Sequence, residues 1–247
     1  MPIYPIGHQL TILETVDSSN NYAMGQLQEQ KAVHGQVYFA LEQTAGKGQM
    51  GKQWISEPAS NIMVSIVLET RQLAHSDQFY LSMAMALGCQ RWFGEYAGDE
   101  TRVKWPNDLY WRDRKAGGIL IENKWLGPEW QFAVVGIGIN LNQTSFPETP
   151  RKAVSLRQIT GRKMDLLQEL RLLCQTLEYR WQQLLNGKHK EIHRDYLLHL
   201  FGRDQLCRMR KNNIVFETRI LGVTETGELQ TRDSLDRQFK VGEVEWL

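Results

Sequence analysis

Short apolar runs separated by turn residues fill the region 1–150, and they constrain the fold more than any other feature of the chain. Four runs have the length and the β-branched content of strands: 36–42, 61–70, 116–123 and 131–141. The last two are joined across Leu126-Gly127-Pro128, a turn sequence that favours a hairpin. The pattern predicts a mixed, mostly antiparallel sheet with helices, and therefore an α+β fold rather than alternating βαβ units.

Helical patterns interrupt and follow these runs. One helix is predicted to begin near Asp17 or Ser18, and a second spans 76–93 with apolar residues nearly all round, as expected for a buried helix. A third carries leucines at helical spacing from Leu166 to Leu184 and begins at Asp165, which favours a capping-box-like start. Together these elements predict a first domain over 1–199.

Residues 200–247 return to short strands, at 214–223, 228–231 and 238–241, with a hairpin-like turn at 226–228. A β module of this size is marginal by itself, because it buries too little apolar surface. We therefore expect it to pack against the first domain.

Composition narrows the function classes. Of the 247 residues, 42% are hydrophobic. The 29 Lys and Arg residues nearly balance the 28 Asp and Glu residues, so the net charge does not indicate binding to nucleic acid or to an anionic membrane. The three cysteines lie far apart and are expected to be reduced. No apolar run approaches the ~20 residues that cross a bilayer, and no secretory signal segment is evident, so we expect a cytoplasmic protein.

The run Q-T-A-G-K-G-Q-M-G-K-Q-W, from Gln43 to Trp54, interleaves three glycines with Lys47 and Lys52. Glycine lets the backbone take up positive φ and lets a ligand approach closely, while N–H groups and ammonium groups attract anions. This run is a candidate cradle for a phosphate or a carboxylate. A lone glycine-rich loop has many false positives, so its meaning depends on the rest of the chain.

Two polar clusters lie at predicted turns. D-S-S-N, beginning at Asp17, stands at a helix start, where such side chains commonly cap backbone N–H groups. K-W-P-N-D, beginning at Lys104, places a cation, an amide and a carboxylate in a turn that Pro106 makes rigid. A purely structural turn would not need so many polar groups.

Two more candidate sites are associated with strands. Lys115 directly precedes Ala116-Gly117-Gly118, although a solvated lysine is the default interpretation of any single Lys. Gly136 and Gly138 share one face of a strand, because side chains alternate with period 2, and Asn140 follows. The paired glycines predict a groove on that face, or alternatively a β-bulge.

In their order along the chain, D-S-S-N, Q-T-A-G-K-G-Q-M-G-K-Q-W, K-W-P-N-D-L, R-K-A-G-G-I-L and G-I-G-I-N-L resemble the biotin–protein ligases. The resemblance covers nearly the whole chain, and K-W-P-N-D followed by R-K-x-x-G-I-L is its most specific part. It implies a catalytic domain like those of class II aminoacyl-tRNA synthetases and biotin ligases, followed by a small C-terminal SH3-like β barrel.

The resemblance also implies roles for individual residues. Ser18, Ser19 and Gln43 would hydrogen-bond the ureido ring of biotin, and Trp54 with the glycine face would hold its apolar parts. The implied biotin-binding set is Ser18, Ser19, Gln43, Gly46, Lys47, Trp54, Lys115, Gly118, Gly136 and Gly138. The implied nucleotide-binding set is Lys47, Gln49, Lys52, Asn107, Lys115 and Asn140. Lys115 and Lys47 would stabilise charge during catalysis, and Asp108 is our hypothesis for the group that orients or deprotonates the acceptor amine.

The implied reaction joins biotin to ATP, with Mg²⁺, and then passes biotin to a lysine of a biotin carboxyl carrier protein or domain of a carboxylase. Because only 17 residues precede Ser18, we expect no DNA-binding domain and no repressor role. The expected partners include neither nucleic acid nor membrane. The expected assembly is a monomer or a homodimer.

The chain departs from the family pattern in the glycine run. The better-known loop is G-R-G-R-x-G-R, whereas the corresponding positions here are Lys47, Gln49 and Lys52. Lysine lacks the planar fork that grips a phosphate with two bonds, and glutamine lacks the charge. We expect the adenylate to leak more readily, or another cation, Lys104 or Lys52, to compensate. Segment 142–155, with Phe146 as its one aromatic residue, is a candidate loop over adenine.

Two other function classes stay open from the sequence. Lipoate or octanoate ligases and transferases share a related fold, but an aliphatic acyl chain would not need Ser18, Ser19 and Gln43. A non-enzymatic module that recruits an acidic partner through the basic region 151–199 is the other alternative. It leaves the polar clusters unexplained.

Overall fold

A seven-stranded sheet forms the centre of the protein in the computed structural model, which describes residues 4–147 and 152–247. In spatial order its strands are β1-β2-β3-β7-β6-β5-β4. Their bounds are Gln9–Val16 (β1), Gln36–Gln43 (β2), Ile62–Glu69 (β3), Thr101–Lys104 (β4), Asp108–Trp111 (β5), Arg114–Leu126 (β6) and Glu129–Ile139 (β7). Strands β1 and β2 are parallel, and every other neighbouring pair is antiparallel. The predicted α+β class and mostly antiparallel sheet are confirmed.

Five α-helices accompany the strands in the described chain. They are Ser19–Gln28 (α1), Gln78–Ala97 (α2), Leu156–Thr160 (α3), Leu166–Leu185 (α4) and His189–Leu198 (α5). Helices α2 and α4 pack on each other so closely that a Cβ added at Gly88 would lie 2.7 Å from Leu177 Cδ2. The Asp165 side chain accepts a hydrogen bond from the Gln168 N–H and begins α4 as predicted.

The central sheet has two different faces because side chains alternate along each strand. One face contributes Val37, Ile66 and Val135 to the main core, which also contains the buried residues of α2 and α4. The other face contributes Tyr38 and residues such as Val67 and Val134 to a smaller cluster with Ala23 and Leu27 of α1. Gly136 and Gly138 have the parity of Val134 and therefore lie on the α1 face.

A second, five-stranded sheet lies at the C-terminus, with the order β11-β10-β9-β8-β12 and antiparallel pairing throughout. Its strands are Leu206–Lys211 (β8), Ile214–Val223 (β9), Leu229–Arg232 (β10), Asp236–Phe239 (β11) and Glu245–Trp246 (β12). This architecture agrees with the expected SH3-like module. The indole N–H of Trp105 donates to the Gly227 carbonyl oxygen at 2.9 Å and links the two sheets.

Several elements differ from the sequence prediction. Strand β1 was not predicted, because all of its residues are at least partly exposed and its apolar pattern is weak. Helix α2 begins and ends later than the predicted 76–93. The short strands β4, β5, β8 and β12 and the helices α3 and α5 were also missed. Within the described ranges, no helix is long and apolar enough to cross a membrane.

Candidate functional site

A cavity of about 350 Å³ opens on the α1 face, between the central sheet and the C-terminal module. Most of the predicted site residues line it, although they come from distant parts of the chain. These residues are Ser18, Ser19, Gln43, Lys47, Gln49, Lys52, Trp54, Asn107, Asp108, Lys115, Gly118, Gly136 and Gly138. The volume falls in the range of small-molecule sites.

A buried polar cluster forms one end of the cavity, where α1 begins above β2 and β3. Gln43 Oε1 accepts hydrogen bonds from the Ser19 N–H at 2.8 Å and from the Ser19 hydroxyl at 3.1 Å. Ser65, the middle residue of the apolar run of β3, lies with its hydroxyl 2.8 Å from Ser19 Oγ and 2.5 Å from Asn20 Oδ1. This cluster offers both donors and acceptors to a polar ligand head.

Ser18 stands at the N-cap position of α1 and is 1% exposed, but its side chain does not cap the helix in the described structure. The capping interpretation of Ser18 is therefore wrong, and the residue is one of those lining the cavity. The Asp17 carboxylate accepts a hydrogen bond from the Asn21 side chain at 2.5 Å. This bond and one from the Ser18 backbone hold the pKa of Asp17 below its ordinary value.

The two glycines of β7 leave room for side chains from other elements. A Cβ at Gly138 would lie 2.5 Å from the Trp54 ring, and a Cβ at Gly136 would lie 2.9 Å from Asn20 Cγ. The predicted groove is therefore present, and Trp54 and Asn20 lie against its floor. Trp54 Nε1 is buried without a hydrogen-bond partner among the described residues.

The glycine run folds back on itself. The Trp54 N–H donates to the Gly46 carbonyl oxygen at 2.9 Å, and the Gly48 N–H donates to the Lys52 carbonyl oxygen at 2.7 Å. Gly46 itself lies outside the cavity lining that the described residues form, and a Cβ there would lie 2.5 Å from the Trp54 carbonyl oxygen. Its role is thus the close backbone approach that shapes the loop.

An ion pair lies at the other end of the cavity, on the neighbouring strands β5 and β6. Lys115 Nζ lies 2.7 Å from Asp108 Oδ1, with both side chains largely shielded from solvent. Gly118 pairs with Asp108 across the strands, and a Cβ there would meet both charged groups at 3.4 Å. The side chain of Asn107 donates to the Ile119 carbonyl oxygen and holds the turn against β6.

Asn140 does not line this cavity in the described structure. Its side-chain amide donates to the carbonyl oxygens of Val154, at 3.2 Å, and Lys115, at 3.4 Å, and the residue is 4% exposed. The geometry therefore favours a role in fixing the backbone of Lys115 over the predicted direct contact with a nucleotide. Part of the predicted adenine loop, 148–151, lies outside the described residues.

The C-terminal module contributes to the cavity through residues 241, 242 and 244–246. Lys104, which is 8% exposed, lies with its ammonium 4.6 Å from the Tyr110 ring centroid, 5.3 Å from that of Phe201 and 5.0 Å from that of Trp246. This cation–π arrangement connects K-W-P-N-D with the last strand, β12. Met50 of the glycine run also contacts the module, near Gly242.

Sequence reasoning did not assign four residues of this region: Asn20 and Trp246 line the cavity, whereas Ser65 and Glu122 contact residues that line it. Asn20 was part of D-S-S-N but was interpreted as a cap, and Ser65 could have been recognised as a lone polar residue in an apolar strand. Glu122 accepts from Asn20 Nδ2 at 2.8 Å and lies 3.4 Å from Lys47 Nζ. The sequence around Trp246 carries no comparable pattern.

Comparison with known proteins agrees with this geometry. The model of the biotin/lipoate A/B protein ligase family matches residues 12–140. A bifunctional ligase/repressor from Bacillus spizizenii is 30% identical over 94% of this chain and 72% of its own length. A biotin–[acetyl-CoA-carboxylase] ligase from Paracoccus denitrificans is 34% identical over 60% of this chain and 63% of its own length.

The fold has been observed before in a solved structure. The biotin protein ligase from Aquifex aeolicus in complex with biotin and ATP superimposes with a TM-score of 0.82, at 23% identity, over 97% of this chain and 99% of that chain. At this identity the likeness concerns the fold. Since the family model spans more than half of the chain and the Paracoccus relative is named a biotin ligase, this chain belongs to the biotin/lipoate A/B protein ligase family and groups with its biotin–protein ligases.

Proposed function

We propose that the protein activates biotin with ATP and transfers the biotinyl group to a lysine of a biotin carboxyl carrier protein or domain of a carboxylase. The observation that carries the proposal is a single cavity with a polar cluster at one end and the Lys115–Asp108 pair at the other. The glycine face of β7 lies among its walls. The name of the Paracoccus relative, a biotin–[acetyl-CoA-carboxylase] ligase, supports the same activity.

The polar cluster is suited to a ureido ring, which presents two N–H donors and one carbonyl acceptor. Gln43 Oε1 is turned toward Ser19. Of the two N–H bonds of the Gln43 amide nitrogen, one is directed at Met63 Sδ, 3.5 Å away, and the other can donate to a ligand carbonyl. The hydroxyls of Ser18 and Ser19 can accept from ligand N–H groups. A ligand with an aliphatic head would displace water from this cluster without forming hydrogen bonds to its remaining donors and acceptors, which costs binding energy.

The first half-reaction needs positive charge beside the acid group of the ligand. The biotin carboxylate attacks the α-phosphorus of ATP, the bond to the pyrophosphate oxygen breaks, and pyrophosphate leaves. Lys115 and Lys47 line the cavity in which negative charge develops on the phosphate. Stabilising that charge and positioning the reactants are the main means of catalysing such a displacement. Mg²⁺ is expected to enter with ATP; within the described ranges, no group of three or more His, Cys, Asp or Glu could hold a metal ion.

The second half-reaction needs a group that takes a proton. The ε-amine of the carrier lysine attacks the acyl carbon of biotinyl-AMP, the bond to the phosphate oxygen breaks, and AMP leaves. Asp108 is a carboxylate that lines the same cavity and lies beside Lys115, so it can orient the amine or accept its proton. The absence of a repressor role, the oligomeric state and the cytoplasmic location stay predictions.

Biotin-dependent exchange of pyrophosphate into ATP tests the proposed activity. The purified protein should catalyse exchange with biotin but not with lipoate or octanoate, and it should then label a carrier domain but not the same domain with its acceptor lysine changed to arginine. Exchange that depends on lipoate or octanoate would assign the chain to another branch of the family. Absence of exchange with all three acids would contradict the proposal.

A further inference from the structure

Glu122 uses its two carboxylate oxygens for two different partners at the edge of the cavity. It lies on β6 opposite Val134, on the α1 face of the sheet. Oε2 accepts from Asn20 Nδ2 at 2.8 Å, and Oε1 lies 3.4 Å from Lys47 Nζ. The Lys47–Glu122 pair is substantially exposed, with side-chain exposures of 41% and 31%, and such pairs contribute only ~0–1 kcal/mol to stability. The ion pair with Lys47 therefore does not explain why a carboxylate stands at this position.

The charge of Glu122 fixes the orientation of the buried Asn20 amide. A carboxylate accepts hydrogen bonds and does not donate them, so the NH₂ group of Asn20 must face Glu122. The Leu120 carbonyl oxygen, 3.5 Å from the same nitrogen, favours the same orientation. The Asn20 carbonyl oxygen then faces Ser65 and accepts its hydrogen bond. The orientation of Asn20 therefore determines how Ser65, and through it Ser19, are hydrogen-bonded.

The donors in the Asn20–Ser65 and Ser65–Ser19 contacts follow from the number of hydroxyl protons. Ser65 has one hydroxyl proton, and Asn20 Oδ1, 2.5 Å away, can only accept it. Ser19 Oγ lies 2.8 Å from Ser65 Oγ and 3.1 Å from Gln43 Oε1, so with the Ser65 proton used toward Asn20 the single Ser19 proton is shared between these two oxygens. The lone pairs of Ser19 Oγ are thereby left to accept from a donor in the cavity.

We infer that Glu122 is a positioning residue that sets the direction of the Asn20–Ser65–Ser19 hydrogen-bond chain, so that Ser19 presents an acceptor to an N–H group of the ligand head. Lys47 balances the charge of Glu122 and connects the glycine run to the same chain. The inference rests on the proposed function, because a ureido ring supplies the N–H group. It assigns a specificity role to a carboxylate that has no need to contact the ligand.

The direction of the hydrogen-bond chain can be tested by moving the negative charge from Glu122 to its hydrogen-bond partner, Asn20. In Asn20→Asp two carboxylates face each other, one of them must take a proton, and the chain loses its single orientation. In the double variant Asn20→Asp with Glu122→Gln, the amide introduced at position 122 donates to the carboxylate introduced at position 20, which still accepts from Ser65. Glu69→Gln, an acid-to-amide change on β3 at a residue paired with Arg71, is the matched control.

The measurements are the biotin dissociation constant by calorimetry without ATP, the KM for ATP in pyrophosphate exchange, and the Tm. Asn20→Asp should weaken biotin binding by about tenfold or more, because a buried charged hydrogen bond is lost. The double variant should return to within about threefold of the parent, a difference of less than ~1 kcal/mol. The KM for ATP should change far less than biotin affinity in all variants.

Two outcomes would overturn the inference: a double variant that binds biotin no better than Asn20→Asp while its Tm matches the parent, or an Asn20→Asp variant with parental affinity. If the double variant does not fold, the single variant Glu122→Gln tests the inference. It frees the Asn20 amide to flip, so it must weaken biotin binding at least severalfold. Exchange by the unmodified parent tests the proposed function separately, so failure of one claim is distinguishable from failure of the other.

Discussion

Lys115 Nζ lies 2.7 Å from Asp108 Oδ1, with the exposed fractions of the two side chains at 29% and 12%. Across the antiparallel strands β5 and β6, Asp108 pairs with Gly118 and Lys115 with Tyr110, so the two charged side chains meet diagonally, beside Gly118. Lysine and carboxylate therefore reach the ligand cavity as a pair. Any role of Asp108 as a proton acceptor is coupled to the position of Lys115.

Asp108→Asn should slow biotin transfer from preformed biotinyl-AMP to a carrier domain by about a hundredfold, the usual contribution of a general base. Single-turnover transfer measures this step without adenylate formation. Adenylate formation should fall by a smaller factor, because Lys115 loses its charged partner but keeps its own charge. A parental transfer rate in Asp108→Asn would remove Asp108 from the mechanism.

Gly138→Ala should weaken biotin binding by about tenfold and cost ~1–3 kcal/mol of unfolding free energy, because the new methyl group would lie 2.5 Å from the Trp54 ring. Calorimetry with biotin and denaturant unfolding measure the two effects. Gly25→Ala is the control, since the described structure leaves open space at that Cβ in the middle of α1. If Gly138→Ala binds biotin normally, the groove is not the biotin site.

Gln49→Arg should reduce the escape of biotinyl-AMP by about tenfold, because it restores a charge-assisted hydrogen bond at the loop position where the family has arginine. The readout is lysine biotinylation of a bystander protein at matched rates of adenylate formation. Thr44→Arg, the control, adds the same charge at an exposed residue that precedes the first glycine of the run. Equal bystander labelling by the parent and Gln49→Arg would mean that another cation already retains the intermediate.

Trp246→Ala should destabilise the protein by about 2 kcal/mol and lower the rate of pyrophosphate exchange, because the Lys104 ammonium loses one aromatic ring and the cavity loses part of its wall. Trp246→Phe retains a ring and should keep most of both properties. Thermal unfolding and exchange rates measure them. If Trp246→Ala retains parental exchange, the C-terminal module does not contribute to catalysis through this contact.

His34 should make the protein less stable as the pH falls. Burial lowers the pKa of His34 below its ordinary 6.5, and its Nδ1 accepts a hydrogen bond from the Glu69 N–H at 3.0 Å, which protonation would remove. The unfolded chain then binds more protons than the folded one, so this contribution to stability is full above about pH 6.5 and is lost as the pH falls through the folded pKa.

The variant His34→Gln tests this pH dependence, because a glutamine oxygen can accept the same hydrogen bond without titrating. Its Tm should fall less than that of the parent between about pH 7.5 and about pH 5, since it lacks the linked proton uptake. The slope that remains belongs to other groups, among them His199, whose pKa is also lowered by burial. Equal slopes for parent and variant would contradict the prediction.

Elements buried on both faces were predictable from sequence, and exposed or short elements were not. The runs of β3 and β7 are nearly continuous apolar stretches because helices cover both faces of the sheet there. Strand β1 is an edge strand with no comparable pattern, yet with β2 it makes the one parallel pair of the central sheet in the described chain. Short strands such as β4 and β5 depend on their neighbours for stability.

For the candidate site, the sequence determined which chemical groups are present: the glycines that permit close approach, the lysines that carry charge, and the polar residues at the start of α1. Which groups face each other was decided by the tertiary structure. Strand pairing places Asp108 beside Lys115, and the packing of α1 on the sheet places Asn20 over Gly136 and beside Glu122. These contacts join residues distant in the chain or on different strands, and no local pattern of hydrophobicity or charge encodes such a pairing.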